Sequence, residues 1–143
     1  MDFFAWLFGA GLWMIGLMIL FYFLQIVAQW MLFVKAGEPG WKSLIPVYNY
    51  YTLFKITWSG GAFLLLAALS VVSALLLRNT DSSWALWLGR AFSAVVSLMS
   101  IIETWKVSRA YGHGIGYFLG LIFLEPIFVM ILGLGSSRYV GKR

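Results

Sequence analysis

The chain has 143 residues, of which 62% are hydrophobic and only 10% are charged, and its formal net charge is +5. A soluble domain usually has about a quarter charged residues and cannot enclose this much apolar surface, so the composition excludes a water-soluble globular protein. The sequence contains no cysteine and one histidine, which excludes disulfides, thiolate metal sites and any site that needs two histidines from one chain. We therefore expect an all-α, polytopic helix bundle in the lipid bilayer, forming a single transmembrane domain over residues 1–143.

The first apolar run extends from Phe3 to Val34. As a helix it would be about 48 Å long, which exceeds the hydrocarbon core of about 30 Å. No basic residue precedes the run, and it is far longer than the core of a signal peptide, so it is interpreted as a retained helix. Gln25 and Gln29 are four residues apart on one face. We predict that they hydrogen-bond to a neighbouring helix or to the headgroup zone, and the alternative is a role in a polar pathway.

A loop rich in glycine and proline ends this helix, and Trp41 within it is typical of an interfacial anchor. The stretch that follows, Leu44–Trp58, combines aromatic residues at helical spacing with polar residues. It is too short and too polar to cross comfortably, which predicts a short interfacial or re-entrant helix. The candidate residues of this motif loop are Gly37, Pro39, Gly40, Trp41, Pro46, Tyr48 and Asn49.

Three further apolar runs predict crossings at Gly60–Leu77, Trp84–Ser108 and Tyr117–Leu134, and Glu125-Pro126 interrupts the last of them. A hydrophilic turn, Arg78–Ser83, separates the first two, and a glycine-rich break at Tyr111–Gly116 precedes the last. The expected architecture is therefore about four transmembrane helices plus the short helix Leu44–Trp58.

The distribution of basic residues gives a different count of crossings. With four crossings the basic residues outside the helices divide five against four, whereas with five crossings they divide six against three. The positive-inside rule thus favours five crossings, and segment length favours four, which is our expectation. Because the basic residues lie in loops and at helix ends, they favour anionic lipid headgroups as partners and not nucleic acid.

Small residues at steps of three or four predict helix packing, within the chain or against a partner, because close approach holds helices together in lipid. One stripe lies on the third predicted crossing and a doubled GxxxG begins the fourth. The candidate packing or partner contacts are Gly89, Ser93, Ser97, Ser100, Thr104, Gly112, Gly116 and Gly120. We expect bulky residues at the last two glycines to destabilise the protein.

Ionisable residues inside a membrane are costly and are therefore candidates for function. Arg90, Glu103 and Glu125 are the three candidates, in addition to the two glutamines of the first helix. Glu125 lies near the middle of the last predicted crossing and is followed by Pro126. We expect this carboxyl to be structurally paired or neutral, and the alternative is an ion or proton pathway or a point where a partner docks.

Catalytic constellations are poor in this sequence. One histidine, His113, in a glycine-rich turn does not support a serine–histidine–aspartate arrangement, and no phosphate-binding glycine loop or His-Glu-x-x-His pair occurs. We therefore expect no enzyme activity and no cofactor.

Two segments resemble an uncharacterised family of small bacterial multi-pass membrane proteins. Residues 36–51 follow its AGxPGWxxxIPxYNxY block, and residues 110–117 with 132–139 follow its closing AFGxGxGF and ILGFGxxxY blocks. A related module occurs in front of the catalytic domain of some bacterial signal peptidases. No such catalytic domain is present here, so the resemblance implies the membrane module alone, without peptidase activity. Glu125 departs from the family pattern, which tends to have leucine before this proline.

The function expected from these features is that of a non-enzymatic accessory or scaffold subunit in a bacterial inner-membrane complex. Its partners would be lipid and other membrane protein subunits or further copies of the chain. The alternative is a small oligomeric transporter or channel that uses Glu125, Glu103 or Arg90.

Overall fold

In the computed structural model, which describes residues 2–78 and 81–143, all described regular secondary structure is helical. Residues 79 and 80, in the turn predicted at Arg78–Ser83, lie outside the described part. The helices are α1 (Phe3–Lys35), a 3-10 turn (Gly40–Leu44), α2 (Pro46–Thr57), α3 (Gly60–Arg78), α4 (Ser83–Ala110), α5 (Ile115–Phe123) and α6 (Glu125–Leu134).

Three of these helices, α1, α3 and α4, are long and apolar enough to cross a membrane. They coincide with three of the predicted crossings and differ from them by one or two residues at their ends. α3 and α4 pack against each other as an antiparallel pair. Their contact is close enough for the Ser73 hydroxyl of α3 to donate to the backbone oxygen of Gly89 on α4, at 2.9 Å.

The predicted fourth crossing, Tyr117–Leu134, is divided into two helices at the interruption expected at Glu125-Pro126, and it is not confirmed as a crossing. The chain forms α5 and α6, of 9 and 10 residues, and breaks at Leu124, where φ is −133° and ψ is 44°. At 1.5 Å per residue each helix is about 15 Å long or less, roughly half the hydrocarbon thickness. Pro126 lies in the first turn of α6, where its missing N–H breaks no helical hydrogen bond, so it favours a helix start at this point.

The two helices fold back on each other, and we call them the α5–α6 hairpin. His113 Nε2, just before α5, lies 2.7 Å from Ser137 Oγ, just after α6. The rings of Tyr117 on α5 and Phe128 on α6 meet edge to face, with their centroids 5.4 Å apart. Both ends of the hairpin therefore lie on the same side of the bundle.

The core lies at the end of the bundle where α1 and α4 finish, at Lys35 and Ala110, which we call the basic end. Tyr111, which follows α4, is 1% exposed and donates its hydroxyl to the backbone oxygen of Leu32 on α1, at 2.6 Å. The buried residues of this core are Leu32, Phe33, Ile56, Val107, Ala110, Tyr111, Leu121 and Leu132.

The first two thirds of α1 do not take part in this core. No residue from Phe3 to Phe23 is buried, and α1 makes its helix contacts with α6 and the 3-10 turn. The buried residues of α1 are Ala28, Leu32 and Phe33, all in its last third. We call Phe3–Phe23 the unpacked segment of α1.

Candidate functional site

The motif loop forms a compact junction after α1. Gly37 has a φ of +79°, and the backbone N–H of Glu38 donates to the oxygen of Phe33 at 2.8 Å. Together they form a Schellman motif, a helix end that favours glycine at the left-handed position. Gly40 lies directly against the ring of Trp30, and a Cβ atom at position 40 would overlap that ring. Both glycines are therefore required by backbone geometry and packing.

The aromatic and amide groups of the loop hold α2 against α1. The rings of Trp41, Tyr48 and Tyr51 follow one another with neighbouring centroids 5.9 Å apart. Asn49 donates from Nδ2 to Oε1 of Gln29 on α1. The motif residues of the first family block thus join α1, the 3-10 turn and α2.

A carboxylate links the loop to α2. Glu38 accepts hydrogen bonds from Lys42, at 2.5 Å, and from Lys55, at 2.8 Å. The hydrogen bond from Lys42, followed by that from Lys55, holds the pKa of Glu38 below its usual value, and the same contact raises the pKa of Lys42. The loop therefore carries an ionised cluster at neutral pH.

Polar side chains of α1 hold α6 in place. Gln25 donates from Nε2 to the backbone oxygen of Pro126 at 2.6 Å. Ten residues further along α1, the Lys35 ammonium donates to the backbone oxygens of Leu132, at 2.6 Å, and Gly135, at 2.9 Å. Because α6 is short, these bonds near its two ends fix it alongside the last third of α1.

One acidic side chain is buried inside the bundle. Glu103 on α4 is 7% exposed, and its Oε1 lies 2.9 Å from the hydroxyl oxygen of Thr57, the last residue of α2. The same hydroxyl lies 2.8 Å from the backbone oxygen of Leu53. A hydroxyl carries one proton, so Thr57 either shares that proton between the oxygens of Leu53 and Glu103 or donates it to Leu53 and accepts a proton from a neutral Glu103. The neutral acid is also the form that costs less in an apolar environment.

The three candidate ionisable residues do not form a single cluster. Glu125, in the first turn of α6, lies near enough to Glu103 for the charges of the two carboxyl groups to interact. Arg90 lies about 20 Å from Glu103 along α4, by the rise of an α-helix. Its guanidinium group lies over the Trp87 ring, 5.8 Å from the centroid. The two carboxyl groups are therefore within electrostatic range of each other, with no hydrogen bond between them in the described residues, and the arginine lies apart.

The predicted packing stripe on α4 is only partly used within the chain. Gly89 is buried, and a Cβ atom there would lie 3.0 Å from the side chain of Leu77 on α3. The rest of the stripe is exposed or half-buried, and three of its hydroxyls bond only to carbonyls of their own helix. These exposed or half-buried members are Ser93, Ser97, Ser100 and Thr104.

The doubled GxxxG has three different environments. Gly112 has a φ of +79° and forms the turn after α4. A Cβ atom at Gly116 would have no neighbouring atom within 4 Å, so the expectation that a bulky residue there destabilises the chain is not supported by its surroundings. Gly120 lies against the ring of Phe128, where a Cβ atom would overlap the ring. Of these glycines, Gly120 is the one that permits close packing, within the α5–α6 hairpin.

The search for small residues at steps of three or four does not find the close contact between α6 and α1. Gly133 on α6 is buried, and a Cβ atom there would overlap the backbone of Ala28 on α1. A single glycine in an apolar helix has no repeat to mark it as a packing residue. Its role depends on the tertiary placement of α6 against α1.

A cleft of about 420 Å³ opens at the basic end, between the two ends of the α5–α6 hairpin. The hydrogen-bonded pair His113 and Ser137 lies across it, and Arg138 follows Ser137. The imidazole ring of His113 stacks on Tyr117 with centroids 3.6 Å apart, and burial lowers its pKa. No sequence pattern pairs these two residues, because they are 24 positions apart and each occupies a position that the closing family blocks leave unspecified.

Comparison with known proteins identifies one family. The family model DUF5684, described as a family of unknown function, matches residues 41–142. No curated protein and no solved structure matches this chain.

Proposed function

The chain belongs to DUF5684, a family of unknown function, and we propose that it is a non-enzymatic accessory subunit of a bacterial inner-membrane complex. The unpacked segment of α1 carries this proposal. Phe3–Phe23 is apolar and has no buried residue, and as a helix it is about 32 Å long, enough to cross the hydrocarbon core alone. A helix that spans a membrane without support from its own chain is available to another subunit.

The small residues of this segment favour a protein helix as its partner. Gly9 and Gly16 are two turns apart and therefore share one face, and neither has an atom within 4 Å of its Cβ position. Glycine within a helix costs about 1 kcal/mol relative to alanine. Such a cost is offset where the missing side chain lets a second backbone approach closely. The exposed serine and threonine residues of α4 offer a second surface of the same kind.

A crosslinking experiment tests the accessory role. By helical periodicity Leu20 lies on the glycine face of α1 and Met18 on the opposite face, and both are more than half exposed. A photoreactive residue at position 20 is expected to give a discrete product with a second membrane protein in native membranes, whereas position 18 gives mainly lipid products. Equal products from both positions, or a product formed only between two copies of this chain, would contradict the accessory role.

We further propose that α1, α3 and α4 cross the membrane and that the α5–α6 hairpin enters and leaves on one side. The charge distribution supports this topology. With three crossings and the hairpin, eight of the ten basic residues lie on the side of the basic end. The other two, Arg78 and Arg90, lie near the opposite end. An excess this large identifies the cytoplasmic side by the positive-inside rule. The eight residues are Lys35, Lys42, Lys55, Lys106, Arg109, Arg138, Lys142 and Arg143.

Labelling of single cysteines tests this topology, and the natural chain has no cysteine to interfere. A membrane-impermeant thiol reagent added outside intact cells is expected to label Asp81→Cys and to leave Lys55→Cys and Lys142→Cys unlabelled until the membrane is opened. All three positions are exposed in the folded chain. Labelling of positions 55 and 142 from opposite sides would contradict this topology, because the four-crossing and the five-crossing alternatives both separate these two positions.

The proximity of Glu103 and Glu125 favours a second candidate function, a small oligomeric transporter or channel that moves protons. A buried carboxyl group within electrostatic range of a second one is a candidate step in a proton path, in which water or another side chain would bridge the two groups. Arg90 is too far along α4 to share this path. Proton flux in liposomes separates this candidate from the accessory role, because only a transporter or channel supports such flux.

A further inference from the structure

The cleft at the base of the α5–α6 hairpin combines a cation with hydroxyl and imidazole groups. Arg138 lines the cleft and forms no ion pair within the part of the chain that the structure describes. Ser136 and Ser137 supply two hydroxyls, and His113 faces Ser137 across the cleft. None of the described lining residues is acidic. The cleft is therefore a positively charged site with several hydrogen-bond donors.

The His113–Ser137 contact leaves a donor available for a ligand. When the imidazole Nε2 carries the proton, it donates to the Ser137 oxygen, and the hydroxyl proton of Ser137 can then be donated elsewhere. The stacking of the ring on Tyr117 fixes the orientation of this pair. Arginine is well suited to the oxygens of phosphate, which can accept two parallel hydrogen bonds from it.

We propose that this cleft binds the phosphate group of a glycerophosphate, with Arg138 and Ser137 as its principal donors. The volume of about 420 Å³ lies within the range of small-molecule sites, and Ile131 and Val140 add apolar surface to the lining of the cleft. The ligand is either the headgroup of an anionic phospholipid or a soluble glycerol phosphate. This site goes beyond the accessory role and does not depend on it.

Native mass spectrometry of the full chain in detergent tests the proposal with three separate probes: short-chain phosphatidylglycerol, glycerol 1-phosphate, and a diacylglycerol of matched chain length. The wild type is expected to bind at least one of the two phosphate-containing probes and not to bind the diacylglycerol. Arg138→Gln is expected to weaken this binding by about tenfold or more, because it removes a charge-assisted contact. Arg143→Gln is the matched control, since it removes the same charge from the same tail outside the cleft.

The two phosphate probes distinguish the source of the ligand. Binding of phosphatidylglycerol alone identifies the ligand as a lipid headgroup, whereas binding of glycerol 1-phosphate identifies it as a soluble ester. Either result supports the phosphate site if Arg138→Gln weakens the binding of that probe. Ser137→Ala is expected to weaken binding several-fold in the same assay. Equal losses in Arg138→Gln and Arg143→Gln, equal binding of diacylglycerol, or binding of no probe would overturn the proposal.

Discussion

Gly133→Leu is expected to separate α6 from α1 and to lower the free energy of unfolding by about 3 kcal/mol, the upper part of the range for an overpacked contact. The side chain at position 133 would have to occupy space held by the backbone of Ala28. A backbone cannot turn aside as a flexible side chain can, so the two helices must move apart. That movement also strains the hydrogen bonds from Gln25 and Lys35 to α6.

Titration of the protein from mild detergent into sodium dodecyl sulfate measures this change, with tryptophan fluorescence as the readout. Gly116→Leu is the matched control because it makes the same substitution in the same hairpin, at a glycine with no neighbouring atom within 4 Å. We expect the control to unfold within about 0.5 kcal/mol of the wild type, as open positions usually do. Similar unfolding of the two variants would show that α6 does not depend on close contact with α1.

The long helices could be predicted from the sequence because each is an uninterrupted apolar run of sufficient length. The structure places α1, α3 and α4 where hydropathy placed three of the crossings. The glycine-rich loop after α1 was also identified correctly as a helix end. Local composition determines these features, and local composition is what a sequence displays directly.

The interruption at Glu125-Pro126 could be predicted from the sequence, but the reversal of chain direction in the α5–α6 hairpin could not, because hydropathy reports apolar character and not the direction of the chain. Tyr117–Leu134 is apolar throughout except for Glu125, and the turn at Leu124 requires no polar residue. Pro126 marked the break, but a proline is also tolerated within a transmembrane helix. The conflict between the charge count and segment length was the better signal. This conflict disappears if the α5–α6 hairpin does not cross the membrane. Segment length and the distribution of basic residues then both favour three crossings.

The candidate site was less predictable than the helices. The sequence marks Glu103 and Glu125 as candidate intramembrane acids, but their position relative to each other depends on the hairpin returning toward α4. The partner of Glu103, Thr57, is 46 residues away in the chain and lies in a segment that the sequence marks only as interfacial. His113 and Ser137 meet for the same reason. Contacts of this kind depend on tertiary folding, and no local pattern reports them.

Thr57→Val is expected to lower the free energy of unfolding by about 2 kcal/mol, because it leaves the buried carboxyl group of Glu103 without its hydrogen-bond partner. Valine has nearly the shape of threonine, so the packing around this fully buried position is retained. The same detergent titration measures the effect. Thr104→Val is the matched control, since its hydroxyl bonds only to the oxygen of Ser100 in its own helix, and we expect little change.

A double variant separates a polar effect from a packing effect. Thr57→Val combined with Glu103→Leu removes both partners, and because no unsatisfied polar group is left, it is expected to recover part of the stability lost in Thr57→Val alone. If the double variant loses as much free energy of unfolding as the two single variants together, the hydrogen bond between these residues does not stabilise the bundle. The buried acid is then held by other contacts.

Glu103→Gln distinguishes the two candidate functions. The glutamine amide can donate to Thr57 as the neutral acid does, so this variant is expected to unfold close to the wild type, but it cannot release a proton. In liposomes with a pH gradient, a proton-moving protein would lose its flux in this variant and in Glu125→Gln. An accessory subunit would show no flux in the wild type and the same crosslinked partner in Glu103→Gln. The substitution keeps a hydrogen-bond donor at this position and removes the ionisable proton of the carboxyl group. A loss of flux without a loss of stability would therefore assign the buried carboxyl group to proton movement and contradict a purely structural role.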